Sequence, residues 1–265
     1  MTDTPPAAPE DLRVERQGAV LRLTIQREER RNAMSPAVLA GLTRAIEAAQ
    51  ADRTVRAIVI TGAGSKAFCA GADLQSGKAF ALDPSEPVGD FARLLRAAKA
   101  SNVPLIARVN GAATGLGATL AVYADLSIAD ESAVIGDPHV KVGLVAGDGG
   151  ALMWPMLIGF QKAKELLFLG DNIPAAEAAR LGLITHAVPA AELDARIDAL
   201  VERLLKLPPL ALRGTKKAIN HTLKGLALAT FEYGVSLETQ SQLTRDHAEA
   251  VNAFIEKRRP AFTGR

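Results

Sequence analysis

The sequence predicts an α/β body followed by an all-helical C-terminal part, and three observations carry that expectation. Strand-period apolar runs alternate with helix-period segments from residue 11 to about 190. Glycine-rich turns follow several of the strands. Past residue 190 the strand signal stops, and helical periodicity fills the remaining chain.

In order, the start MTDTPPAAPEDL is acidic and lacks an apolar run, so residues 1–10 read as a short disordered tail and not as a signal peptide. Leu21, Leu23 and Ile25 share one face of a strand. Ser35-Pro36 supplies a helix cap and first-turn proline, opening a helix through Leu39, Leu42, Ile46 and Ala49. Ala57 to Ile60 reads as a buried strand ending in the turn Thr61-Gly62-Ala63-Gly64, which completes a β-α-β rhythm. The segment Gln75 to Asp90 reads as a mobile loop. Pro104 to Asn110 is a further strand, meeting Gly111 and then an Ala/Gly-rich helix from about Gly115 to Ala124. Its small residues suit a helix buried against close neighbours. Leu126-Ser127-Ile128 is strand-like again. Helices are expected over about 191–205, 208–220, 226–240 and 245–257, with residues 11–190 as the body and 191–265 as the helical part. No linker separates the two, so they should pack together or onto a neighbouring subunit.

Composition removes several function classes. Lys and Arg number 31 against 29 Asp and Glu, without a basic block, and 4% of residues are aromatic. A dedicated nucleic-acid binder needs clustered cations and stacking rings. Cys69 is the single cysteine, which rules out an intrachain disulfide or cysteine zinc site and fits a reduced, cytoplasmic setting. The uncharged stretch from Val109 to Ala124 is shorter than the roughly 20 residues of a membrane span and is interrupted by glycines, so no membrane partner is expected.

Phosphate cradles fail on detail: Leu120 stands where a dinucleotide fingerprint needs its last glycine, and Ser65-Lys66 has the wrong order for a P-loop. The histidines His139, His186, His221 and His247 are too scattered for a sequence-local metal site. Two glycine-containing turns remain, Phe68 to Leu74 and Asn110 to Gly117. Each can present a main-chain N–H outside any ladder, and two such donors aimed at one point would hold an oxyanion, helped by the partial charge of a helix start.

The segments Arg31-Asn32-Ala33-Met34, Ala67 to Leu74, Val109-Asn110-Gly111 with the glycine-rich helix start, Gly143 to Gly150, and Ala253 to Phe262 together resemble the enoyl-CoA hydratase/isomerase (crotonase) superfamily from about residue 11 to the end. That resemblance implies a crotonase (ClpP/crotonase-like) fold of repeated ββα units, with a helical C-terminal trimerisation region assembling a homotrimer or dimer of trimers. It implies an acyl-CoA thioester substrate whose thioester oxygen lies between the N–H groups of Ala72 and Leu116. Leu116 stands where the family usually has glycine, a change that keeps the donor and narrows the pocket. Arg30, Arg31 and Ala70 resemble positions that meet CoA, with Lys257 contributing from a neighbouring subunit; a solvated charged face is the competing reading of the cations. No metal or redox cofactor is implied, CoA entering as part of the substrate.

The pattern departs from the hydratases at both of their glutamates, which by the resemblance fall on Thr119 and His139. A threonine hydroxyl is no base at neutral pH. What remains is Asp148, in Val145-Ala146-Gly147-Asp148-Gly149-Gly150, where related branches carry an aspartate that acts as base or nucleophile. Asp148 is the candidate base, with helix capping as its competing role. His139 is its candidate acid/base partner or holder. Asp137, before Pro138, is expected to fix a turn, and Asp73 to position the first loop. Trp154, Met153 and Met156 could line an acyl pocket, though their helical spacing fits core as well. The expected activity is hydration/dehydration or isomerisation of an enoyl-CoA through an enolate. The alternatives are hydrolysis or carbon–carbon cleavage using Asp148, and a non-catalytic acyl-CoA-binding protein.

Overall fold

A computed structural model describes residues 10–73 and 89–265. Residues 1–9 and most of the loop expected over 75–90 lie outside the described residues; Gly89 and Asp90, expected in that loop, instead open a helix.

The chain begins with a hairpin, β1 (Leu12–Gln17) and β2 (Val20–Ile25), whose turn uses Gly18 at φ 59. On β2, Leu23 and Ile25 are fully buried while Leu21 is only partly covered. Helix α1 (Pro36–Ala51) starts as expected: the Ser35 hydroxyl accepts the Val38 N–H at 3.3 Å and Pro36 takes a first-turn position. Val38, Leu42, Ile46 and Ala49 then recur at helical spacing and bury one face in the core.

Three strand pairs follow: β3 (Ala57–Gly62) with β4 (Ala67–Cys69), β5 (Leu105–Val109) with β6 (Ala112–Thr114), and β7 (Leu126–Asp130) with β8 (Val134–Gly136). Helix α2 (Gly89–Ala100) follows the first pair and α3 (Leu116–Tyr123) the second; α4 (Gly150–Ile158) comes after the third. In each pair the first strand joins a six-stranded sheet and the second a four-stranded one, so every repeat crosses between sheets at its turn. The remaining elements are α5 (Phe160–Leu169), β9 (Asn172–Pro174), α6 (Ala175–Leu181) and β10 (His186–Val188). The large sheet runs β1-β2-β3-β5-β7-β10, parallel after the opening hairpin; the small one runs β4-β6-β8-β9, with only β9 antiparallel. This is a mixed α/β architecture of repeated ββα units, as the resemblance implies.

Helix α3 is buried along its whole length. Such a helix has no solvent face, so its neighbours must approach from all sides, and Gly117 permits the closest approach: a Cβ there would overlap the Cys69 carbonyl.

The C-terminal part comprises α7 (Ala190–Lys206), α8 (Pro209–Gln242) and α9 (Arg245–Ile255). The two helices expected over 208–220 and 226–240 are one helix of 34 residues. Gly225, between the two expected ranges, costs a helix only about 1 kcal/mol, and burial on either side outweighs that. Lys216 is one such anchor: its ammonium donates to the Val103 carbonyl at 2.7 Å and pairs with Asp125 at 2.6 Å. Phe231 and Glu238, further along, are also buried. The helical part therefore packs onto the body. Among the described residues no helix is long and apolar enough to cross a membrane.

Replacing Gly117 by Ala should lower stability by about 2 kcal/mol or more, because the new methyl meets fixed backbone. Replacing Gly214 by Ala, where no atom lies within 4 Å, should raise it by about 1 kcal/mol through helix propensity. Thermal melts of the two variants check the pair, and opposite signs are expected.

Candidate active site

Two buried asparagines organise the loops of interest. Asn32, at φ 56, donates its side-chain amide to the carbonyls of Ala63 and Ala67 at 2.9 and 2.7 Å, and accepts the Arg27 N–H. Asn110 accepts the Gly62 N–H and donates to Gly64 and Ala67 carbonyls. Both amides thus meet at the Ala67 carbonyl, tying the loop after β2, the turn after β3 and the turn after β5 together. A polar side chain this deeply buried stabilises only when its hydrogen bonds are made, so the pair fixes one geometry.

The first glycine bend is pinned along its length. The Ala70 N–H donates to the Arg31 carbonyl at 3.0 Å, Met34 N–H to Gly71 O at 2.8 Å, and Asp73 N–H to Met34 O at 3.1 Å. Asp73 also pairs with Arg27 at 2.8 Å, which is the positioning role expected of it. Between these bonds the Ala72 N–H meets no internal acceptor among the described residues. The second bend hangs from Gly115, whose N–H donates to Gly136 O at 2.9 Å and whose φ of 54 turns the chain into α3. Leu116 is the first residue of that helix, and its N–H likewise has no internal acceptor among the described residues. The bends touch: a Cβ built on Gly71 would lie 3.1 Å from Thr114 O and 3.8 Å from Leu116 N. One built on Gly115 would lie 3.9 Å from Gly71 Cα and 3.8 Å from His139 Cε1. Two unclaimed donors therefore stand beside each other, next to an imidazole.

That imidazole sits in a buried ionisable cluster. His139 Nδ1 is hydrogen-bonded to Asp137 Oδ1, while its Nε2 faces Asp148 Oδ2 at 3.4 Å. Thr119, on α3, donates its hydroxyl to Asp148 Oδ1 at 3.2 Å. The two positions that lack the hydratase glutamates by resemblance thus both face Asp148. Asp148 Oδ2 has no hydrogen-bond partner among the described residues. Burial raises the Asp148 carboxyl to about 6, with His139 lowering it and Asp137 raising it. Burial alone would drive His139 neutral; the negative charges of Asp148 and Asp137 overcome it and bring the imidazole up to about 10. Near neutral pH the arrangement is an imidazolium between two carboxylates.

Several residues take roles other than those expected. Asp137 does fix its turn, accepting the His139 N–H at 3.3 Å, but its contact with Nδ1 also orients the ring. Asp148 is not the cap of α4: Gly149 holds that position, with no side-chain cap. Cys69 is buried, with its thiol pushed up to about 12 by burial, which leaves it no thiolate for nucleophilic work. Trp154 is fully buried core, Met153 lines a cavity, and Met156 points to solvent at 41% exposure. Arg30 and Arg31 lie exposed on the turn leading into Asn32, and Lys257 is exposed at the end of α9.

Glu238 went unnoticed in the sequence. It lies on α8, 6% exposed, and its carboxylate accepts the backbone N–H of Asp148. Burial first, and the Asp148 charge second, push it up to about 8, so it carries a proton near neutral pH. The same helix face clamps the turn at Gly147, where an added Cβ would overlap Gly234 O, and at Val145, whose N–H donates to Ser241 Oγ at 3.1 Å. Asp137, His139 and Asp148 have ligand atoms within 4.8 Å of one another, close enough to consider a cation. A ring already protonated on the Asp137 side and held charged by both carboxylates favours protons over a metal there.

The model of the enoyl-CoA hydratase/isomerase family matches residues 15–265. A 2,3-dehydroadipyl-CoA hydratase of Escherichia coli is 34% identical over 262 residues, covering 96% of this chain and 99% of that protein. Among solved structures, a carnitinyl-CoA hydratase from Mycobacterium avium superposes with a TM-score of 0.88 at 36% identity, over 97% of this chain and all of that one. An enoyl-CoA hydratase/isomerase from Mycobacterium paratuberculosis gives a TM-score of 0.85 at 36% identity, over 92% and 98%. The chain belongs to the enoyl-CoA hydratase/isomerase family.

Proposed function

We propose that the protein is an acyl-CoA enzyme that hydrates or isomerises an enoyl-CoA thioester, with Asp148 as its base and Ala72 and Leu116 as the donors that hold the enolate oxygen. The observation that carries this reading is the adjacency of two unclaimed main-chain N–H groups and a buried Asp148–His139 pair. When a proton leaves the carbon next to the thioester, or water adds at the next carbon, charge moves onto the thioester oxygen. Fixed donors stabilise that charge without reorganising, and losing one such donor typically costs about 3 kcal/mol of barrier.

Asp148 takes the proton and returns it. Its carboxyl near 6 is mostly ionised at pH 7, yet holds a proton more readily than an exposed carboxylate would, which suits a shuttle. His139, held by Asp137, balances the charge of Asp148 and offers Nε2–H to its carboxylate. Thr119 orients the other oxygen. Glu238 holds the Asp148 main chain and is a positioning residue. The chemistry asks for no cofactor beyond the CoA of the substrate, for which the turn at Arg30, Arg31 and Ala70 is the proposed phosphate and adenine end. Lys257 of a neighbouring subunit is the proposed further contact. Assembly as a trimer or dimer of trimers belongs to the same reading and is supported by exposed apolar side chains such as Leu210, Leu243 and Phe254. Light scattering should give three or six times 27.8 kDa.

Asp148→Asn should lower kcat by about 10³-fold on the enoyl-CoA that the unmodified protein converts, with thioester affinity retained. In the unmodified protein kcat/KM should rise with pH through about 6, because the active form of the base is the deprotonated one. No conversion across a panel of enoyl- and dienoyl-CoA esters, with affinity intact, would instead identify a binding protein. Glu238→Gln, which keeps an acceptor for the Asp148 N–H and matches the protonated form, should leave kcat at pH 7 within about threefold. Glu238→Ala frees the turn and should lower kcat by about tenfold or more. Steady-state pH profiles of both variants check this, a purely structural role predicting equal stability losses and unchanged profiles.

A further inference from the structure

Behind the candidate site lies a cavity of about 520 Å³ between α2, α3, α4 and α8. Its walls are apolar, with Leu95, Leu152 and Phe231 buried there. Tyr123 lines the cavity and also touches the candidate site. Its ring edge presses the catalytic turn, where a Cβ built on Gly149 would lie 2.5 Å from Tyr123 Cε2 and 3.0 Å from the Thr119 methyl. The Lys99 ammonium lies over the ring face at 5.0 Å from its centroid. The turn that carries Asp148 and the Lys99 ammonium thus meet the same aromatic ring.

Lys99 is an unusual wall for such a cavity. Among the described residues its ammonium donates no hydrogen bond and makes no direct ion pair; the nearby Asp125 carboxylate is already paired with Lys216. Burial lowers the ammonium to about 8, Asp125 raising it and Lys216 lowering it further. Lys217 and Lys224 add positive charge at the rim, whereas the acid of the lining, Glu232, is paired with Arg96 at 3.1 Å. An apolar space with a surplus of cations suits neither a wholly apolar tail nor a cation. It suits an aliphatic chain that ends in an anion, since a carboxylate reaching Lys99 exchanges two partly desolvated, unpaired charges for a charge-assisted hydrogen bond.

We propose that this cavity receives the far end of the acyl chain and that Lys99 selects chains carrying a carboxylate there. Lys99 is on this account a specificity residue, remote from the reacting carbons, for ω-carboxy-acyl-CoA esters. The inference rests on the acyl-CoA reading given above.

The test compares trans-2-octenoyl-CoA with its ω-carboxy analogue on the full-length protein, and repeats the comparison with Lys99→Met, which keeps the aliphatic stem over Tyr123 and removes the charge. The unmodified protein should prefer the carboxylate-ended ester by about tenfold or more in kcat/KM, and the preference, a ratio taken on one protein, should fall to about one in the variant. Equal or better use of the methyl-ended ester by the unmodified protein, or a preference that survives Lys99→Met, overturns the inference. If neither ester is converted, the hydratase/isomerase reading fails. Calorimetric titration with octanoyl-CoA and its ω-carboxy analogue then decides Lys99 separately, with the same ratio expected in Kd and an unchanged ratio on Lys99→Met overturning it.

Discussion

Everything proposed for the site depends on two backbone bends that only glycine adopts without strain. Gly71 at φ 101 and Gly115 at φ 54 let two chain segments from different ββα repeats lie against each other while leaving the next N–H of each unspent. Side chains at either position would meet the left-handed penalty, and at Gly71 the Thr114 carbonyl as well. The rest of the body holds this contact in place: Asn32 and Asn110 meet at the Ala67 carbonyl, and the Arg27–Asp73 pair anchors the end of the first bend.

Next to that fixed contact the fold buries more charge than a core normally tolerates. Asp137, Asp148, Glu238 and His139 come from three segments and share too few protons to be neutral and too little solvent to be fully ionised. The outcome is a graded set: an imidazolium held up by its carboxylates, a base near 6 and a protonated acid near 8. Stability is the other face of this. A carboxyl raised in the folded state loses stability as pH climbs past its unfolded value toward its folded one, so Asp148 costs most above about 6 and Glu238 above about 8. Groups that destabilise the fold at working pH are the ones poised to exchange protons.

Much of the architecture was legible in local patterns. The strand and helix periods, the Ser35-Pro36 cap and the all-helical end are short-range signals, and the structure reproduces them. The paired bends at Gly71 and Gly115 were legible as turns, and the resemblance of the surrounding motifs to a known family joined them into one feature. His139 was legible as a candidate because the resemblance puts a hydratase glutamate at its position, and Asp148 because related branches carry an aspartate in its region, here between glycines. Glu238 was not, since a single glutamate on a long helix reads as a solvated face and its burial depends on where α8 crosses Gly147. Asp137 was given only a turn, because its contact with the ring follows from the tight local turn at Pro138 and no spacing rule announces it. The continuous α8 was missed for a similar reason: tertiary burial outweighed the propensity of Gly225.

The most direct test of the account is a crystal structure with a saturated, unreactive acyl-CoA such as butyryl-CoA. The account predicts the thioester oxygen within about 3 Å of both Ala72 N and Leu116 N, and the Asp148 carboxylate within about 3.5 Å of the adjoining carbon. A thioester oxygen bound elsewhere, with either N–H turned to an internal acceptor, would contradict it.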